Sequence, residues 1–264
     1  YHAAAYKHVP LMESNPSEAV LVNVLGSKNL ADLSLKYDVH KFVMVSTDKA
    51  VNPSNVMGAS KRIAEMYVQA LHNFSNQSKN IKTSFITTRF GNVLGSNGSV
   101  VPLFKRQIAS GGPLTITHPD IIRYFMTIPE ACQLVLEAGA MGNGGEIFIF
   151  DMGKAVKIID LATKIIKLAG FTPYKDIDIK VIGLRPGEKL YEELLNDKST
   201  TLPTYHEKIM IAKVAASDYN KLSEEISILI DYAKRYDKHK IVSQMKVIVP
   251  EFISMNSKYE KLDA

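Results

Sequence analysis

A carboxylate, two amines and several hydroxyls lie close together in residues 46–61, and such groups can transfer protons. Asp48 and Lys49 are adjacent and form a potential acid–base pair, Ser46 and Thr47 precede them, and Lys61 follows on the next element. General acid–base catalysis uses side chains of these types. Because the group follows a short apolar run, we expect it at the carboxyl end of a sheet, where open parallel sheets bind ligands.

Strand and helix patterns alternate around this group. Residues 41–46 and 83–88 are apolar runs typical of buried strands, whereas residues 18–37 and 58–73 carry apolar side chains at helical spacing. A strand, a helix and a second strand at this spacing imply a right-handed parallel crossover. We therefore predict an α/β fold with a Rossmann-like, doubly wound parallel sheet.

Glycine and proline punctuate the chain from Arg89 onward, which predicts a smaller, loop-rich substrate-binding region. After it we expect a helix over 129–138, a strand over 146–150, a helix over 156–168, a strand over 178–182, a turn at 185–188 and an amphipathic helix over 217–236. The predicted organisation is a dinucleotide-binding part, 1–98 and 144–177; a substrate-binding region, 99–143 and 178–200; and a C-terminal helical extension, 201–264.

Composition narrows the class of protein. With one cysteine, Cys132, in 264 residues, neither a disulfide framework nor a cysteine-rich metal site can form, and we expect a reducing, cytoplasmic location. The seven histidines show no paired ligand spacing, so we expect no metal. No apolar run approaches the roughly 18 residues that span a bilayer.

The net charge of +5 is spread along the chain, and its aromatic residues do not interleave with the basic ones. This pattern predicts no nucleic-acid partner and suits an anionic substrate such as a sugar nucleotide.

One glycine-rich run imitates a cofactor-binding loop. Residues 139–145 match a G-x-x-G-x-x-G spacing, but they follow a predicted helix and lead into a strand, the reverse of what phosphate binding needs. We interpret them as a turn, so the dinucleotide fingerprint is absent. By contrast, the small residues Ala3, Ala4 and Ala5 would let the backbone approach a cofactor closely.

Three ordered motifs carry a family resemblance: H-A-A-A-x-K-H-V-P at 2–10, S-T-D-K-A-x-N-P at 46–53 and R-F-G-N-V-x-G-S-x-G-S-V-x-P at 89–102. Together with R-P-G-E-K at 185–189, they resemble the CapD-type polysaccharide-biosynthesis branch of the extended short-chain dehydrogenases. Its best-known members are UDP-N-acetylglucosamine 4,6-dehydratases. The similarity runs from residue 2 to about residue 213.

The resemblance implies a nucleotide-sugar 4,6-dehydratase of capsule or surface-polysaccharide synthesis, using NAD, or NADP, and a UDP-sugar, and assembling as a homo-oligomer. It also implies that the first two or so β-α units precede Tyr1 in a longer parent. Larger relatives carry membrane helices still further upstream, which would put such a parent at the cytoplasmic face of the inner membrane.

By resemblance, Asp48 donates a proton at C6 of the sugar and Lys49 removes the proton at C5, provided that the loop turns so that both face the sugar. Met57 stands where most relatives hold a tyrosine, so Thr47 or Asp48 is left to deprotonate the C4 hydroxyl. Lys61, one helical turn after Met57, suits the nicotinamide ribose. The structural alternative is a capping aspartate and solvated lysines.

Further assignments follow from the resemblance. The predicted cofactor contacts are Ala3, Ala4, Ala5, Asn23, Ser46, Lys61 and Arg89. The predicted substrate contacts are Lys7, His8, Asn92, Val100, Phe104, Arg123, Arg185 and Glu188. Alternatives stay open for Asn23 as a buried, hydrogen-bonded amide and for Arg123 as a salt bridge between regions. We interpret Tyr6 and Tyr67 as packing residues.

Two other functions compete with the dehydratase. A UDP-sugar 4-epimerase or a 5-epimerising dehydratase would need only small shifts of the base. A non-catalytic module that binds sugar nucleotides is favoured by Met57 and by the absent glycine loop.

Overall fold

The computed structural model describes residues 1–77, 83–192 and 201–263. The helices are α1 (Val9–Ser14), α2 (Pro16–Ala19), α3 (Gly26–Lys36), α4 (Val56–Asn76), α5 (Val100–Ala109), α6 (Ile128–Met141), α7 (Ile158–Leu168), α8 (Tyr219–Lys234) and α9 (Lys238–Ile248). The strands are β1 (Lys41–Thr47), β2 (Ser84–Phe90), β3 (Asn92–Val93), β4 (Leu114–Ile116), β5 (Ile122–Arg123), β6 (Phe125–Met126), β7 (Ile147–Phe150), β8 (Val156–Lys157), β9 (Ile179–Val181), β10 (Thr201–Pro203) and β11 (Ile209–Ala212).

The central sheet has the order β1-β2-β7-β11-β10. β1, β2 and β7 are parallel, whereas β11 and β10 are antiparallel additions at one edge. At the other edge, His2 forms a parallel bridge to Met44 of β1. The apolar runs of β1, β2 and β7 are buried because helices cover both faces, as in other parallel sheets. The predicted α/β class with a mainly parallel sheet is confirmed.

Helices pack on both faces of this sheet. On one face α4 lies against β1 and β2, and α3, α8 and α9 complete a large apolar core with it. On the other face α6 packs against β1 and β2 around Leu134 and Ala138. The C-terminal helices are therefore part of the main core, and the layers give the doubly wound arrangement.

A smaller unit stands beside the carboxyl ends of the parallel strands. It consists of α5, α7 and the parallel pair β4–β9, packed around Phe104, Leu114 and Ile166. Two short pairs, the parallel β3–β6 and the antiparallel β5–β8, connect it to the sheet.

The packing of the elements differs from the predicted domain division in three places. α6 covers the sheet instead of belonging to the substrate-binding region, and α7 joins the smaller unit instead of the dinucleotide-binding part. β10 and β11 extend the central sheet, so the C-terminal extension begins after residue 212. The last predicted residues of the substrate-binding region, 193–200, lie outside the described residues.

The predicted elements themselves correspond closely to the structure. The helix predicted at 18–37 is interrupted by a π-helical segment, Val20–Leu25, between α2 and α3. Residues 156 and 157 form β8, so α7 starts two residues later than predicted. The glycine-rich run is a turn, as predicted, and Gly144 and Gly145 adopt φ of 116° and 83° there. Within the described ranges, no helix is long and apolar enough to cross a membrane.

Candidate active site

The chain turns at the end of β1 and brings Asp48 and Lys49 together. Asp48–Ala50 forms a single 3-10 turn, and the Thr47 hydroxyl oxygen accepts from the Lys49 amide at 3.4 Å. Lys49 Nζ donates to Asp48 Oδ1 at 2.8 Å. The chain therefore turns here, and Lys49 reaches the cavity described below whereas Asp48 lies buried behind it. The alternative interpretation of Asp48 as a capping residue and of Lys49 as a solvated lysine does not fit this geometry. Thr47 provides the cap, and the Lys49 side chain is only 15% exposed.

Asp48 is buried immediately behind the surface of the site. Its Oδ1 accepts hydrogen bonds from both Lys49 Nζ and the Thr47 hydroxyl, the latter at 2.9 Å. Its Oδ2 is buried beside Gly91 and has no hydrogen-bond partner among the residues that the structure describes. Since a buried polar atom normally has a partner, this oxygen is available to a proton or a ligand.

Lys49 has a second acidic neighbour. Glu192 Oε1 lies 3.5 Å from Lys49 Nζ, and the Glu192 side chain is 5% exposed. Burial alone would lower the pKa of Lys49, but the charges of Asp48 and Glu192 outweigh burial and raise it. The sequence analysis missed Glu192, because no local pattern connects it with the Asp48 turn.

Helix α4 presents Met57 and Lys61 to the same site. Its first turn is capped by Asn55 Oδ1, which accepts from Gly58 N at 2.8 Å. Only glycine fits at residue 58, since a Cβ there would lie 2.1 Å from the Lys49 carbonyl oxygen. This close approach places the Asp48–Ala50 turn against the start of α4.

Lys61 is 5% exposed and donates from Nζ to the Val45 carbonyl at 2.8 Å. Burial lowers its pKa to about 8, with the Glu65 charge opposing the shift. Its alternative as a solvated lysine is therefore wrong. Met57 is 3% exposed, and its thioether can neither give nor accept a proton at the tyrosine position.

A cavity of about 440 Å³ lies between the carboxyl ends of β1 and β2 and the smaller unit, within the usual range of ligand sites. Fourteen of the predicted residues line it: Ala3, Ala5, Lys7, His8, Ser46, Thr47, Lys49, Met57, Lys61, Asn92, Val100, Arg123, Arg185 and Glu188. Six residues of the predicted substrate-binding region that were not named as contacts also line it, together with Ile158 from outside that region: Leu103, Thr115, Ile116, Thr117, Ile121 and Ile182. These come from α5, β4, α7 and nearby loops, and their apolar patterns predict core positions as readily as a binding surface.

Five predicted residues do not line the cavity: Ala4, Asn23, Asp48, Arg89 and Phe104. The Arg89 guanidinium points into the protein and forms a buried ion pair with Glu65, with Nε 2.9 Å from Oε1. Phe104 is fully buried in the apolar core of the smaller unit. These positions do not support the predicted contact of Arg89 with the cofactor or that of Phe104 with the substrate.

Asn23 supports the loop that borders the cavity. Its amide accepts from Tyr6 N at 2.8 Å and donates to Tyr6 O at 2.9 Å and to Ser60 Oγ at 2.9 Å. It is thus the buried, hydrogen-bonded amide of the second interpretation. Tyr67 is buried in the core as predicted, but Tyr6 is 46% exposed and lines the cavity, so its assignment as a packing residue is wrong.

Two loops meet at the rim of the cavity. Lys7 Nζ donates to Ser96 Oγ at 3.0 Å, and the His8 ring packs over Gly98, where a Cβ would lie 2.1 Å from the imidazole. Gly98 also has a φ of 69°. These contacts place two basic side chains where an anionic ligand would enter.

The turn at 185–188 is held between the start of α4 and the C-terminal tail. The Gly187 carbonyl accepts from Asn55 Nδ2 at 3.0 Å, and Gly187 N donates to Met255 O at 2.9 Å. Asn256 Nδ2 donates to Glu188 O at 3.1 Å. Residues far apart in the sequence therefore determine the position of this turn.

Arg123 links the smaller unit to this turn. Its NH2 donates to the Lys189 carbonyl at 2.8 Å and lies 3.5 Å from Glu188 Oε1, while its Nε lies 3.5 Å from Glu192 Oε1. The structure thus contains the salt bridge of the second interpretation, although Arg123 also lines the cavity. Across the described ranges, no three His, Cys, Asp or Glu side chains are placed to bind a metal ion.

Comparison with known families and proteins gives consistent results. A family profile described as "Polysaccharide biosynthesis protein" matches residues 1–214. The capsular polysaccharide biosynthesis protein CapD of Staphylococcus aureus is 57% identical over 92% of this chain, which spans only 39% of that protein. A UDP-N-acetylglucosamine 4,6-dehydratase (inverting) of Campylobacter jejuni is 38% identical over 76% of the chain and 57% of the relative. A UDP-glucose 4-epimerase of Rickettsia canadensis is 35% identical over 99% of the chain and 75% of the relative.

Solved structures share the fold. Pen from Bacillus thuringiensis superposes with a TM-score of 0.73 at 35% identity, covering 86% of this chain and 74% of that one. DesIV, a dTDP-glucose 4,6-dehydratase from Streptomyces venezuelae, superposes with a TM-score of 0.64 at 21% identity, covering 73% and 63%.

Proposed function

Because this chain belongs to the polysaccharide biosynthesis protein family, we propose that its full-length protein is a nucleotide-sugar 4,6-dehydratase. The proposed substrate is UDP-N-acetylglucosamine or a close relative, and the product is a 4-keto-6-deoxy sugar for a surface polysaccharide. The buried Asp48–Lys49 pair beside the cavity carries this proposal, because elimination of water needs a base for the C5 proton and an acid for the departing C6 hydroxyl. The similarity to the Campylobacter jejuni dehydratase supports it.

The residues around Lys61 fit a nicotinamide cofactor, for which we propose NAD. Ala3 and Ala5 give the cavity a wall of small side chains, and Lys61 offers a buried amine beside Ser46. Lys61 would hold the ribose, and the Ala3–Ala5 backbone would lie along the cofactor. When bound, the nicotinamide would accept the hydride from C4 and return it to C6.

Thr47 and Asp48 can deprotonate the C4 hydroxyl together. The Thr47 hydroxyl lines the cavity and donates to Asp48 Oδ1 at 2.9 Å. In the proposed step, the Thr47 oxygen takes the C4 hydroxyl proton while its own proton passes to Asp48. This relay replaces the absent tyrosine, and it leaves Asp48 protonated.

Lys49 and Asp48 then eliminate water. The raised pKa of Lys49 keeps it protonated at rest, so Lys49 first loses this proton to solvent. The neutral amine then takes the C5 proton, the C5–H electrons form the C5–C6 double bond, and the C6–O bond breaks. The departing hydroxyl takes the proton from Asp48 and leaves as water. The Lys49 ammonium finally returns its proton to C5, so Asp48 regains its starting state and Lys49 is again the neutral amine.

Basic side chains around the cavity suit the diphosphate of the substrate. Lys7, His8 and Arg185 line the cavity, and the Arg185 side chain is 53% exposed. Arginine matches phosphate oxygens through its forked donors. We propose that Arg185 binds the diphosphate, Glu188 the uridine ribose and Asn92 the sugar.

The proposed reaction is tested with the full-length protein, UDP-N-acetylglucosamine and NAD, by NMR detection of a 4-keto-6-deoxy product. We expect Asp48→Asn and Lys49→Ala each to reduce kcat by about 10² to 10⁴. Lys208→Ala is the matched control, since Lys208 also pairs with a carboxylate but lies on the surface, 2.9 Å from Glu130.

Two results would contradict the dehydratase. UDP-sugar binding without turnover would favour a non-catalytic module. A product that keeps its C6 hydroxyl would favour the 4-epimerase, a candidate supported by the Rickettsia canadensis relative, whose similarity extends over 99% of the chain.

A further inference from the structure

Glu192 is a buried carboxylate to which the proposed reaction assigns no role. A single oxygen, Oε1, lies 3.5 Å from Lys49 Nζ and 3.5 Å from Arg123 Nε. The side chain is 5% exposed. Because a carboxylate is rarely buried without paired charges, its position beside the catalytic lysine needs an explanation.

The protein fixes Glu192 through Arg123. The Arg123 guanidinium donates to the carbonyls of Lys189 and Leu190, at 2.8 and 3.3 Å, and to that of Ile122 at 2.7 Å. It therefore attaches the chain just before Glu192 to β5. Surface ion pairs are mobile, but this carboxylate pairs with an arginine that is itself held by several hydrogen bonds.

Among the residues that the structure describes, the charged groups that shift the pKa of Lys49 are Asp48, Glu192 and Arg123. Asp48 already makes the short contact of 2.8 Å with the ammonium. Arg123 has the same sign as Lys49 and opposes its protonation, whereas Glu192 supports it. The sum of these charges determines how strongly Lys49 holds a proton.

We propose that Glu192 is a positioning residue that holds the Lys49 side chain beside Asp48 and stabilises its protonated form during elimination. This inference rests on the proposed function, in which Lys49 removes the C5 proton and later returns it. Glu192 touches neither substrate nor cofactor in this scheme. Its negative charge makes Lys49 the stronger base and keeps the C5 proton on the amine until it is returned.

The test compares Glu192→Gln, which keeps the shape and removes the charge, with Glu192→Asp, which keeps the charge on a shorter side chain. Both are made in the full-length protein, and kcat for the 4-keto-6-deoxy product is measured against pH. Removing the charge lowers the pKa of Lys49, so we expect the acid limb of the Glu192→Gln profile to move to lower pH by about one unit or more. We expect its plateau to fall, because a weaker base removes the C5 proton more slowly.

Glu192→Asp should restore the acid limb toward that of the wild type. Glu130→Gln is the matched control, since Glu130 pairs with Lys208 on the surface, and its profile should not move. If Glu192→Gln fails to fold, Arg123→Gln gives an independent measurement of how a neighbouring charge moves the acid limb. Loss of that positive charge should move the acid limb to higher pH.

A lower kcat at every pH, with the acid limb unmoved in Glu192→Gln and in Arg123→Gln, would assign Glu192 a structural role and overturn the inference. This failure is distinguishable from failure of the proposed function, in which the wild-type protein itself would make no 4-keto-6-deoxy product.

Discussion

Replacing Gly187 with alanine tests how closely the 185–188 turn fits against the start of α4. Gly187 has a φ of 79°, a region that disfavours residues with a Cβ. A Cβ there would lie 2.6 Å from Asn55 Cβ and 2.9 Å from Val9 Cγ1. The turn would have to move away from the start of α4, and its hydrogen bonds to Asn55 and Met255 would weaken.

The expected loss of stability has two parts. The left-handed backbone costs an alanine roughly 1–2 kcal/mol. The contact with Asn55 and Val9 adds an overpacking cost of about 1–3 kcal/mol. We therefore expect Gly187→Ala to lower the free energy of unfolding by about 2–5 kcal/mol.

Gly183 provides a matched control. Its φ is 86°, and nothing lies within 4 Å of an added Cβ. Gly183→Ala should therefore carry only the backbone cost, roughly 1–2 kcal/mol. The difference in stability between the two variants therefore measures the cost of the contact between residue 187 and its neighbours Asn55 and Val9.

The assay is chemical denaturation of the full-length protein, followed by KM measurements for the UDP-sugar. We expect Gly187→Ala to raise KM while Gly183→Ala leaves it near the wild-type value, because only the former displaces Arg185 and Glu188. Equal losses of stability in the two variants, or an unchanged KM in Gly187→Ala, would refute the reasoning.

Three further perturbations test the interior of the site. Burial lowers the pKa of Lys61 to about 8, whereas the unfolded chain keeps this proton up to about pH 10.5. Raising the pH through this window should therefore stabilise the wild-type protein by up to about 3 kcal/mol, and denaturation series should show no such gain for Lys61→Met. Asn23→Ala removes the hydrogen bonds that hold Tyr6, so thermal unfolding should show a loss of about 2–4 kcal/mol in stability and KM for NAD should rise. Unchanged stability and KM would contradict the supporting role of Asn23. Arg89→Met leaves Glu65 buried without its main partner and should lower the free energy of unfolding by about 3–5 kcal/mol. The double variant with Glu65→Leu should recover most of this stability, and a loss that persists in the double variant would contradict a purely structural role for Arg89.

The local elements could be predicted from sequence because their patterns are local. The apolar run of β1, the spacing of α4 and the polar start of the Asp48 turn all appear within a few residues, and the structure contains all three. The layer that each helix covers was harder to predict from sequence. α6 and α7 are both amphipathic, and nothing in their own residues says that one packs on the central sheet and the other on the smaller unit.

The sequence by itself determined the α/β class, the family and the pairing of an acid with a base at Asp48 and Lys49. Only the tertiary structure decided that Glu192 joins that pair, that Arg89 turns inward to Glu65 and that Tyr6 borders the cavity. The physical reason is that contacts between distant segments depend on how the layers pack, whereas a strand, a helix or a turn depends on its own residues and their neighbours.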